Sequence, residues 1–367
     1  MFGALAALLL AGAPSGCSVG DQGGSVQGDT LKVYVSLPMR GESGAYGRAT
    51  ASGVKLALAT AHRRAAGARI EPVLLDDTLH GRWDASAAGR NARRAISDTT
   101  AVAYIGEFES GATQVSLPIT NEARMLQVSP ASTALDLVSP FPGSDEVPEH
   151  VQPTGERTFG RVIPDDEAQA AAGAAWARRL RARSALVVSD GSGFGDSVAD
   201  EFAEEAEALG VAVERAGRHA DGARVERADA ELVYYGGTAG AALPLLERVA
   251  RTPGTQLIGT DALLLDREFL QQARPYESRL RLTAAAQDPS QLPPPHGPRF
   301  VRRFRAEYGH EPGPYAAYGY EAMDVVLSSI ERAAEPVDRA TILDAFFDTR
   351  NRDSVLGTYS IDELGDT

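Results

Sequence analysis

The sequence predicts an α/β protein of two lobes, each built around a mostly parallel sheet. Three observations carry this expectation. The chain has 367 residues, 43% apolar and 23% charged, ordinary for a folded protein but long for a single core. From Leu31 onward, short apolar runs alternate with amphipathic stretches, the rhythm of strand-helix units around a parallel sheet. The rhythm breaks once, between Leu137 and Glu156, and then restarts for a second block of similar length.

The elements follow in order. LKVYVSLPM reads as a strand, and GRATASGVKLALATAHRR as a helix with Val54, Leu56, Leu58 and Ala61 near helical spacing. An Arg pair closes that stretch, where cations suit the helix dipole. RIEPVLLDD, AVAYIGE and MLQVSPA are further strands, separated by the helical stretches DASAAGRNARRAISD and GATQVSLPITNEA. Pro, Gly and acids in VSPFPGSDEVPEHVQPTGE mark an exposed loop. In the second block RTFGRVIP, SALVVSD, VAVERAGRH, ELVYYGG and TQLIGTD read as strands, alternating with three helical stretches that begin at DDEAQ, FGDSV and AGAAL. A third region, from RLRLTAAA through PSQLPPPHGP to RATILDAFFDTR, holds too little strand for its own sheet. It is expected to add helices to the earlier lobes, so that the chain crosses between them more than once.

Composition excludes several function classes. The formal net charge of -14, with Arg scattered among acids, argues against a nucleic-acid partner. One cysteine and six well-separated histidines provide neither a disulfide framework nor a zinc set, and no metal or cofactor is expected. MFGALAALLLAGAPSGC is apolar but too short to span a bilayer, and it reads as a signal peptide ending at Cys17. The Gly-rich SVGDQGGSVQGD after it reads as a flexible tether.

Candidate chemistry gathers where strands end. In an open parallel sheet, ligands bind at the carboxyl ends of strands, where the following helices present unpaired amides. In GEFESGAT, Ser110 falls at an expected N-cap with Gly111 and Thr113 in the first turn, a place suited either to an anion or simply to capping the helix. QVSPASTAL brings Ser129, Ser132 and Thr133 to the neighbouring rim. An enzymatic reading finds little support. SDGSGFGDS has Gly191, Gly193 and Gly195, but Asp196 stands where the third glycine of a dinucleotide fingerprint belongs. No serine occupies a G-x-S-x-G elbow, and the acid pairs Asp76-Asp77 and Asp165-Asp166 point to different sides as sequence neighbours.

The motifs LPMRGESGAYG, LLDDT, YIGEFESGAT, QVSPASTALDL, RVIPDDEAQA, VYYGG, LIGTDAL and RAEYGHEPGPYAAYGYEAMD, in this order and spacing, resemble the leucine/isoleucine/valine-binding type of periplasmic substrate-binding protein. The resemblance implies two Rossmann-like lobes joined by a three-stranded hinge, the type I periplasmic binding fold, closing over a small ligand. It divides the chain into 30–164 plus 284–350 for the first lobe and 165–283 plus 351–367 for the second. It implies that Ser110 and Thr133 bind a ligand carboxylate by their hydroxyls and Ala131 by its backbone, with Asp261 opposite the ligand ammonium. Tyr46 matches a pocket tyrosine, Asp166 an acid facing the cleft, and Tyr235 and Tyr318 further cleft positions. Phe194 stands where the family usually has a tyrosine, and Glu107 and Glu109 are expected at the solvent-facing rim.

Function follows from the same resemblance: an exported, monomeric binding protein of an ABC importer, capturing an amino acid or similar solute and delivering it to the permease. A ligand sensor on the same fold is the alternative. Cys17 resembles a lipidation site, with Gly16 and Ser15 before it, although Pro14 replaces the usual leucine and no basic residue precedes the apolar run. A start placed downstream of the natural one would account for the missing basic residues. The last stretch, YSIDELGDT, ends where the family runs on through another strand, so a truncated C-terminus is also expected.

Overall fold

The computed structural model describes residues 29–41, 43–141, 144–218 and 230–367. Cys17 and nearly all of the tether lie outside them. The first block supplies β1 (Thr30–Leu37), β2 (Arg64–Ala65), β3 (Ala68–Asp76), a small hairpin of β4 (Thr78–Leu79) and β5 (Arg82–Trp83), then β6 (Ala101–Ile105), β7 (Leu126–Ser129) and β8 (Phe159–Arg161). Apart from that hairpin they form one sheet, ordered β2-β3-β1-β6-β7-β8 and parallel except for the short β2. The second block supplies β9 (Ser184–Ser189), β10 (Ala212–Arg218), β11 (Leu232–Gly236), β12 (Gln256–Gly259) and β13 (Leu280–Leu282), an all-parallel sheet ordered β10-β9-β11-β12-β13. Each sheet reverses its winding between two neighbours, at β1/β6 and at β9/β11. Those switch points are where an open parallel sheet leaves a crevice for a ligand.

Helices cover the sheets. They are α1 (Gly44–Thr60), α2 (Ala85–Ile96) and α3 (Ser110–Glu122) in the first block, then α4 (Asp166–Arg179), α5 (Gly193–Ala208), α6 (Ala239–Arg251), α7 (Asp261–Leu265) and α8 (Arg267–Ala273). The third region adds α9 (His296–Tyr308), α10 (Pro314–Arg332) and α11 (Arg339–Phe347), all packed on the first lobe's core. Helices α1 and α10 meet at backbone distance. A Cβ added at Gly53 would lie 1.9 Å from the Ala316 carbonyl oxygen, and one at Gly319 would lie 2.2 Å from that of Thr50. The glycines in these two helices are therefore packing residues, and the helix propensity they forgo is offset by the close contact they permit.

The second sheet has a core on each face. Ala185, Val187, Tyr234 and Ile258 join one cluster, and Leu186, Val188, Val233, Tyr235 and Leu257 the other. This is the two-residue alternation of a strand buried on both sides.

Chain crossings lie between β8 and α4 and between β13 and Ala285, which joins the first lobe's core. Residues 351–367, expected on the second lobe, pack instead on the first. Their hairpin, β14 (Arg352–Ser354) and β15 (Gly357–Tyr359), brings Arg352 to Glu321 at 2.7 Å and to Asp324 at 2.5 Å, both on α10. Tyr359 also donates to Glu321 at 2.7 Å, and Ile361 enters the first lobe's core. Glu321 is fully buried, so its partners must come to it, and that fixes the hairpin's place. Beyond Ile361 the chain runs beside the first crossing: the Arg161 amide donates to Gly365 O, and the Arg161 guanidinium pairs with Asp366 through Nε at 2.5 Å and Nη2 at 2.9 Å.

Candidate functional site

The first-lobe rim is built from the loops after β1, β6 and β7. Ser110 is the first residue of α3, with Glu109 in the flanking position, so the expected side-chain cap is absent. Its Oγ instead accepts the Thr133 amide at 3.2 Å and the Ala134 amide at 3.3 Å. Ser129 Oγ accepts the amides of Ala131 at 3.1 Å and Ser132 at 2.8 Å while donating to Glu107 O at 2.7 Å. Thr113 Oγ1 accepts the Glu107 amide and shares a 2.7 Å bond with Ser132 Oγ. The hydroxyl-rich sequences at the two strand ends thus lock the loops to one another. The Ser110 hydroxyl accepts these two amides and has no acceptor of its own among the described residues, and the Ala131 amide is already engaged.

The second lobe presents carboxylates. Asp165 caps α4 by accepting the Ala168 amide at 3.1 Å, which leaves Asp166 as the first helical residue, fully buried against the first lobe. The Asp166 amide donates to Thr133 O at 3.0 Å, and the nearby Thr133 hydroxyl favours the ionised Asp166 carboxylate. Gln169 Nε2 donates to Asp166 Oδ1 at 3.3 Å, and its Oε1 accepts the Asp261 amide at 2.8 Å. Asp261 opens α7 and accepts from the hydroxyl of Tyr315, on α10, at 3.4 Å. Burial and the neighbouring Asp261 push Asp166 up to about 7. Burial also raises Asp261, restrained by its bonds from Gln169 and Tyr315. Asp166 Oδ2 has no hydrogen-bond partner among the described residues.

Aromatic rings close the first-lobe side. Tyr46 meets Tyr315 edge-on at 5.9 Å, and Phe108 lies 4.7 Å from Tyr315. The Tyr46 hydroxyl reaches across to Leu264 O at 3.0 Å, a direct bond between lobes. Outside this cluster runs a groove of about 650 Å³ between the lobes, walled by Trp83, Arg40 and Glu109 on one side and by Leu243, Leu265 and Phe269 on the other. Trp83 lies over Gly111, whose missing side chain makes room for the indole: a Cβ there would be 2.8 Å from Trp83 Cζ2.

The structure therefore brings Tyr46, Ser110, Thr133, Asp166 and Asp261 to one cleft, with Ala131 in the loop behind. It does not bring Tyr235 or Phe194 there. Tyr235 is buried on the far face of its sheet and its hydroxyl donates to Thr238 O at 2.8 Å. Strand alternation turns Tyr234 to the opposite face, where its ring stacks on Phe202, its phenol feels the charges of both Asp166 and Asp261, and its hydroxyl is buried without a partner among the described residues. Phe194 packs on the core cluster around Phe202. Tyr318 serves the second crossing, accepting the Gln287 amide at 3.0 Å and donating to Ala285 O at 3.3 Å.

Glu107 does not face solvent; it is fully buried beneath the rim, bonded by the Tyr104 hydroxyl at 2.5 Å and set beside Asp77. Burial drives both carboxyls upward, Asp77 to about 7, so the pair retains a proton near neutral pH. Glu109 lines the groove and accepts from Ser43 Oγ at 2.7 Å. Sequence reading passed over Tyr315, Tyr234, Gln169 and Arg161. Only Tyr315 had a visible signal, its place at the start of a helix just after Gly-Pro.

The periplasmic binding protein family profile matches residues 30–365. The chain belongs to that family. This periplasmic binding protein is 25% identical over 355 residues to the Leu/Ile/Val-binding protein homolog 1 of Brucella melitensis, covering 94% of this chain and 89% of that one. It is 24% identical over 363 residues to a leucine-, isoleucine-, valine-, threonine- and alanine-binding protein of Pseudomonas aeruginosa, covering 93% and 88%. Among solved structures, a leucine binding protein of Thermotoga maritima superposes with a TM-score of 0.74 at 28% identity, covering 92% of each chain. These relatives are substrate-binding proteins. Membership implies a protein that works outside the cytoplasm and binds a small molecule between its lobes.

Proposed function

We propose that this protein is the solute-capturing component of an ABC importer, and that its solute is an amino acid or a close relative. One observation carries the reading. Thr133 O on the first lobe's rim, beside Ser110, accepts the Asp166 amide, and Asp166 in turn feels the charge of Asp261 on the second lobe, so hydroxyls and acids converge at the carboxyl ends of the two sheets. An ammonium group opposite Asp261 and a carboxylate near the Ser110 hydroxyl suit the two ends of an amino acid, each charge-assisted bond contributing about 1.5 to 3 kcal/mol. Tyr46, Ser110, Thr133, Asp166, Asp261 and Tyr315 are the proposed contacts.

The mechanism is closure without covalent chemistry. Bonds that join the lobes, such as Tyr46 to Leu264 O and Tyr315 to Asp261, hold the two lobes together and break if the lobes part. A ligand touching both lobes adds to them and shifts the population toward the closed form, which the permease then reads. The protein reaches the membrane through lipid on Cys17; a Cys17→Ser variant is then expected to leave the membrane fraction.

A thermal-shift screen against amino acids, amides, urea and aromatic acids tests the proposal. A ligand at a hundred times its dissociation constant adds about 2.7 kcal/mol and raises Tm by several degrees. Asp261→Ala is expected to weaken an amino-acid ligand by about 2 to 5 kcal/mol in calorimetry and a purely anionic one far less. No shift from any of these solutes would defeat the reading, and equal losses for both ligand types would remove the ammonium role.

A further inference from the structure

The two lobes face each other with unequal charge. Asp166 and Asp261 are both at least nine-tenths buried and lie close enough for each to raise the other's cost of ionisation. The groups around Asp166 are Asp165 and Gln169 from its own helix, Thr133 from the rim, Arg161 from β8 and Asp261 from α7. Around Asp261 stand Gln169 and Tyr315. Arg161 is the single cation in either set, and its guanidinium is already spent on Asp366, Asp165 and the carbonyl of Ala134. Among the described residues, Asp166 Oδ2 and the Tyr234 hydroxyl remain without partners here. Tyr315, bonded to Asp261, packs against the rings of Tyr46 and Phe108 on the first lobe.

We infer that the cleft takes an organic cation, an alkylammonium carried by an amine or a basic amino acid, with its charge at Asp166 and Asp261 and its alkyl flank on the Tyr46, Phe108 and Tyr315 rings. A zwitterion brings as much negative charge as positive into the cleft and leaves one aspartate uncompensated. A ligand with net positive charge offsets more of the acids' charge, two ammonium groups offsetting both, and the electron-rich ring faces attract the same charge. The inference rests on the cleft being the solute site proposed above. It narrows that proposal from amino acids in general to ligands with surplus positive charge.

Isothermal calorimetry of the full chain with L-lysine, putrescine, choline and L-leucine separates the two. The expected result is that one of the three cations binds at least about tenfold tighter than L-leucine. Asp166→Asn keeps the side-chain shape and the bond from Gln169, and is expected to lower that cation's affinity by at least about tenfold more than it lowers that of L-leucine. L-leucine binding tighter than all three cations overturns the inference and leaves the importer proposal standing, whether or not the variant folds. A parallel loss of both ligand types in a folded Asp166→Asn protein overturns it too. Binding of none of the four overturns it, and the screen of the preceding section then decides the proposal itself.

Discussion

Asp166 shows how one side chain ties stability to ligand. Its carboxyl is pushed up to about 7, while in the unfolded chain it titrates near the ordinary aspartate value. Between those values the folded state holds a proton that the unfolded state has lost. Stability therefore falls as pH rises through the window from about 4 to 7 and levels off above it. Asp77 and Glu321, also pushed up to about 7, add the same slope. Asp166→Asn removes only its own part, so its ligand-free Tm is expected to decline less between pH 4 and 7 than the parent's. An unchanged slope would show that Asp166 is already ionised across that range. The sequence named this residue only through the family resemblance, and the cation beside it, Arg161, is turned to Asp366, a contact 205 positions away.

At the scale of elements, the contact of α1 with α10 is the most demanding. Gly53→Ala would place a methyl group 1.9 Å from a backbone oxygen that no rotamer change can move. The gain in helix propensity is at most about 1 kcal/mol, so the clash wins. A net loss of about 1 to 3 kcal/mol is expected, read as a lower urea midpoint at unchanged slope. A stabilised variant would mean that the two helices separate without cost. The strands and helices were legible because apolar periodicity is local, and nine of the principal strands lie where the sequence placed them, the short β13 alone having no strand assignment. Three hairpins were not. β2/β3, β4/β5 and β14/β15 each include a strand of two or three residues, too short for any periodicity to register. One of them carries Trp83 to the cleft mouth, and another carries Arg352 to Glu321.

At the scale of the molecule, closure is the working motion, and Tyr46 reports on it. Tyr46→Phe keeps the ring against Tyr315 and deletes the bond to Leu264 O. A hydrogen bond made only in the closed form contributes about 0.5 to 1.5 kcal/mol, so ligand affinity is expected to fall by roughly threefold to tenfold. The radius of gyration in X-ray scattering should still contract on ligand addition, with more ligand needed to reach the same value. A variant that binds as tightly as the parent would show that this bond forms equally in the open state.

By itself, the sequence determined the two-lobed α/β architecture and the rims at which the hydroxyls of Ser110 and Thr133 gather, because strand ends in parallel sheets are fixed by local pattern and composition; Asp166 and Asp261 were candidates only through the family resemblance. Tertiary structure alone decided which side chains face the cleft. Strand alternation exchanged Tyr235 for Tyr234, burial turned Glu107 inward, and distant contacts put the last residues on the first lobe and brought Tyr315 to Asp261. These depend on long-range partners meeting in space, and a one-dimensional pattern carries no record of which partners those are.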